Sequence, residues 1–67
     1  MIADLDIWRV AALLVRRHGE GAALFASQRI DELLAEGDLT GRAIWQRILE
    51  AVAELSRTKP VEGERVN

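Results

Sequence analysis

Apolar residues recur along this chain at intervals of three and four, the spacing of a helix face rather than of a half-buried strand. Glycines divide the pattern. Gly19 and Gly21 make one interruption and Gly37 the next, while Pro60 and Gly63 fall in a tail with no apolar period. The spacing predicts helices over about residues 5–18, 20–36 and 39–57. Linkers this short make consecutive helices antiparallel neighbours. The expected fold is all-α: a compact antiparallel three-helix bundle over residues 1–57, followed by a short C-terminal tail, 58–67. Such a terminus is flexible by default, with Val61 and Val66 as its available anchors.

Local signals set the expected helix ends. Asp4 is placed to cap the first helix, and Arg16, Arg17 and His18 suit the negative end of its dipole. Gly19 then supplies a left-handed stop. The second helix ends at Gly37, and Asp38 immediately caps the third. Gly41 inside that helix disfavours it by about 1 kcal/mol against alanine, which calls for a packing reason. The expected one is close approach of a neighbouring helix beneath Trp45.

The helical wheels assign a core of Trp8, Leu14, Val15, Ile30, Leu33, Ile44, Trp45, Ile48, Val52 and Leu55. The third helix has the clearest two-sided pattern, with Arg42, Gln46, Arg47, Glu50, Glu54 and Arg57 opposite its apolar face. Arg47 with Glu50 and Glu54 with Arg57 are spaced to pair. The first helix is apolar nearly all round. Val10 and Leu13 on it, and Leu24 with Phe25 on the second, are left unplaced by a simple three-helix core.

Composition narrows the chemistry. A chain of 67 residues with a formal net charge of −2 offers no electrostatic case for nucleic acid or a membrane surface. Its longest apolar stretch, near Val10–Val15, falls far short of the roughly 20 residues that span a bilayer. The acidic opening Met1–Asp6 is unlike a basic secretory leader, so the cytoplasm is the expected compartment. Without cysteine there are no disulfides, thiolate sites or cysteine nucleophiles. A domain this small then relies on helix packing or self-association.

No catalytic, cofactor-binding or metal-binding residues are assigned, and the chain is not expected to be an enzyme. His18, the single imidazole, reads as a helix C-terminal residue rather than a general base. Asp31 and Glu32 are adjacent and point about 100° apart on a helix. Glu50 and Glu54 share a face with Arg47 and Arg57, the pattern of a solvated, salt-bridged surface. His18-Gly19-Glu20-Gly21 lacks the preceding strand and the Lys-Ser/Thr ending of a phosphate loop.

Two binding readings follow. The favoured one is a protein–protein interaction or self-associating module, with Val10, Leu13, Leu24 and Phe25 as its interface, because exposed apolar patches mark interfaces. The alternative is a helix-turn-helix-like nucleic-acid-binding regulator that presents Arg42, Gln46 and Arg47 from the third helix. The acidic balance, and Glu50 and Glu54 on the same face, oppose it.

The segments Trp-Arg-Val-Ala-Ala-Leu-Leu-Val-Arg-Arg-His-Gly (8–19) and Gly-Asp-Leu-Thr-Gly-Arg-Ala-Ile-Trp-Gln-Arg-Ile (37–48), with Glu-Leu-x-Arg before Pro60, resemble a family of short bacterial helical proteins. The family is frequent in alphaproteobacteria and is a domain of unknown function. The resemblance covers nearly the whole chain. It implies a bacterial, cytosolic, stand-alone protein and brings no activity, ligand or catalytic residue.

Overall fold

The computed structural model describes residues 3–58, and the expected tail lies outside them apart from Thr58. Among these residues the chain is helical with no strand. Helix α1 spans Asp4–His18, a 3-10 turn spans Gly19–Gly21, α2 spans Ala22–Glu36 and α3 spans Leu39–Thr58. None of the helices is long and apolar enough to cross a membrane.

Helix α1 starts differently from expectation. Ala3 is its extended N-cap and makes no side-chain capping bond. Its carbonyl instead accepts the backbone amides of Asp6 and Ile7, at 3.0 and 3.1 Å. Asp4 is therefore already inside the helix. Asp4 and Asp6 still complement the dipole at this end, as Arg16, Arg17 and His18 do at the other. Gly19 closes the helix by donating to the carbonyl of Val15, but with φ 57° and ψ −125° it is not the left-handed stop. That conformation, closed to most residues with a Cβ, suits glycine. Two glycines around Glu20 weaken helical propensity, so α2 begins at Ala22 rather than Glu20.

The α2–α3 junction follows the sequence closely. Gly37 is left-handed, at φ 79° and ψ 14°, and its amide donates to Leu34 while that of Asp38 donates to Leu33. This is a Schellman closure, which satisfies two carbonyls that the helix end would otherwise orphan. Asp38 also caps α3, its Oδ1 accepting the amide of Gly41 at 2.8 Å. Gly41 is explained here, and not by a helix beneath Trp45. A Cβ at position 41 would lie 2.6 Å from Oδ2 of Asp38. The space is kept for the cap.

Packing is uneven. Helix α3 lies along both α1 and α2, which touch each other far less. Helix α3 is thus the shared packing partner of the other two helices, and the all-helical class expected from the sequence holds. Ile7, Ala11 and Leu14 of α1, Ala22 of α2, and Ile48, Ala51 and Val52 of α3 form a single buried cluster. Ala26, Ile30 and Leu33 of α2 are buried as well.

Of the expected core, Leu14, Ile30, Leu33, Ile48 and Val52 are buried, and Val15, Ile44, Trp45 and Leu55 are half-buried against it. Trp8 is not core: it is 41% exposed. The buried stripe of α1 is Ile7–Ala11–Leu14, rotated from the one the wheel favoured. Ala22 and Ala51 pack with it in the same buried cluster. Helices that meet through small residues approach at the short end of the usual 8–10 Å or about that separation, and an indole between them would hold them apart.

Candidate functional site

The four residues proposed as an interface do not share one environment. Val10 packs half-buried against the core cluster, so it is not surplus surface. Leu13 and Leu24 are exposed, at 47% and 62%. Phe25 is 38% exposed, and its ring stacks on His18 with centroids 4.6 Å apart and planes 16° from parallel. Trp45 also approaches Phe25, its ring centroid 6.1 Å away and its plane tilted by 59°. Phe25 thus joins the end of α1 to α2 and α3. His18 is a stacking partner here at the end of its helix.

Exposed apolar side chains occur where the wheel had not placed them. Leu5 and Trp8 of α1, Leu34 of α2 and Leu39 at the start of α3 are all open to solvent. Ala12 is exposed and Val15 half-buried. On α1, positions 5, 8, 12 and 15 step by three, four and three, so they form a second stripe beside the buried one. The signal was present in the sequence: an α1 apolar all round has more than one candidate stripe. Its phase was legible only once α3 had chosen a partner.

This stripe borders an open groove of about 460 Å³ between α1 and α3, lined by Asp4, Ile7, Trp8, Arg47, Glu50, Ala51 and Glu54. Ile7 and Ala51 belong to its floor and Trp8 to its α1 wall. Asp4 and Arg47 form an ion pair across it. Arg47 is thereby drawn away from the intrahelical pairing with Glu50 expected from spacing. Glu54 pairs with Arg57 as expected, and Arg29 pairs with Glu32 at 3.0 Å on α2. Among the described residues no three acidic or histidine side chains converge as a metal site would need.

The basic residues of the helix-turn-helix reading are placed on α3 but differently engaged. Arg47 is held by Asp4. Arg42 is half-buried, and its Nε lies buried without a hydrogen-bond partner. Gln46 is half-buried.

Residues 3–60 match the model of a family described only as a family of unknown function, DUF6961. No curated protein matches the chain. No solved structure matches it either.

Proposed function

We propose that the chain, which belongs to this family of unknown function, is a non-enzymatic helical interaction module that self-associates in the cytoplasm and uses no cofactor. One observation carries the reading: alanines take up a good part of the core while several large apolar side chains stay outside it. Among the described residues, four of the ten buried hydrophobics are alanines. Leu5, Trp8, Leu13, Leu24, Leu34 and Leu39 remain exposed. Burying a leucine-sized side chain contributes about 1.5–3 kcal/mol. A domain this small gains stability when such residues are covered by a second chain.

Size exclusion coupled to light scattering on the full chain tests this. A concentration-dependent mass above 7.5 kDa is expected, and a monomer at high micromolar concentration sinks the proposal. Leu13→Lys and Leu24→Lys, both at exposed positions, locate the contact if either lowers the mass while far-ultraviolet circular dichroism is unchanged. Nucleic-acid binding through α3 is the weaker reading. Arg47 is engaged by Asp4, Arg42 is half-buried, and Glu50 and Glu54 would meet phosphates. No retardation of duplex at low salt is expected.

A further inference from the structure

We draw no further inference here: the strongest candidate, the open groove between α1 and α3 with the exposed indole of Trp8 in its wall, carries nothing, because Asp4 with Arg47 and Glu54 with Arg57 are paired within the chain and nothing in the structure shows what covers it.

Discussion

Asp4 and Arg47 lie 43 positions apart, yet their side chains form an ion pair across the groove between α1 and α3. The pair joins the first turn of one helix to the middle of another. It turns a residue expected to cap a helix into one that links two. Both partners are well exposed, with side chains 81% and 43% accessible, so the pair contributes modestly.

A double-mutant cycle with Asp4→Ala and Arg47→Ala should give a coupling of about 0.2–1 kcal/mol. Screening should shrink it as salt is raised. Urea unfolding at low and high ionic strength measures both. A coupling unchanged by salt would argue against this account.

The phase of α1 has a direct mutational signature. Ile7→Ala should destabilise the fold by about 2–5 kcal/mol, whereas Trp8→Ala should cost clearly less and instead weaken self-association. Similarly, Ala11→Leu should overpack the core by about 1–3 kcal/mol. The adjacent Ala12→Leu should stay within about 0.5 kcal/mol in the dilute monomer. Thermal melts of the four variants rank them.

Asp38 and Gly41 should be coupled. Asp38→Ala removes the cap and costs about 1 kcal/mol. Gly41→Ala in the native background forces its methyl into the Asp38 carboxylate, which offsets the gain in helix propensity. With Asp38 already changed to Ala, the same Gly41→Ala should stabilise by about 1 kcal/mol. Equal effects in both backgrounds would show that the cap does not explain the glycine.

The two positive-φ glycines differ, and asparagine tells them apart. Gly37 is in the left-handed region that Asn tolerates, so Gly37→Asn should cost less than about 1 kcal/mol. Gly19 has ψ −125°, and Gly19→Asn should cost about 1–3 kcal/mol. Denaturant midpoints of the two variants give the comparison.

The α2–α3 junction and the helical class were legible in the residues because their causes are local, whereas the starts of α1 and α2 were not. Gly37 and Asp38 carry their own stop and start within two positions, and the dipole-matched charges of α1 lie in its own first and last turns. Family membership was legible too, from segments 8–19 and 37–48, both inside the matched residues 3–60. The partner of each face was not a local matter. On α1, stripes through Ile7 and through Trp8 are both apolar, and no rule within one helix ranks them. Tertiary packing decided between them: Ile7 is buried in one cluster with Ala11, Ala22 and Ala51, and Trp8 is left in the wall of a groove. The same docking assigned Asp4 to Arg47 and set α3 at the centre, because close approach depends on which small residues meet from distant parts of the chain.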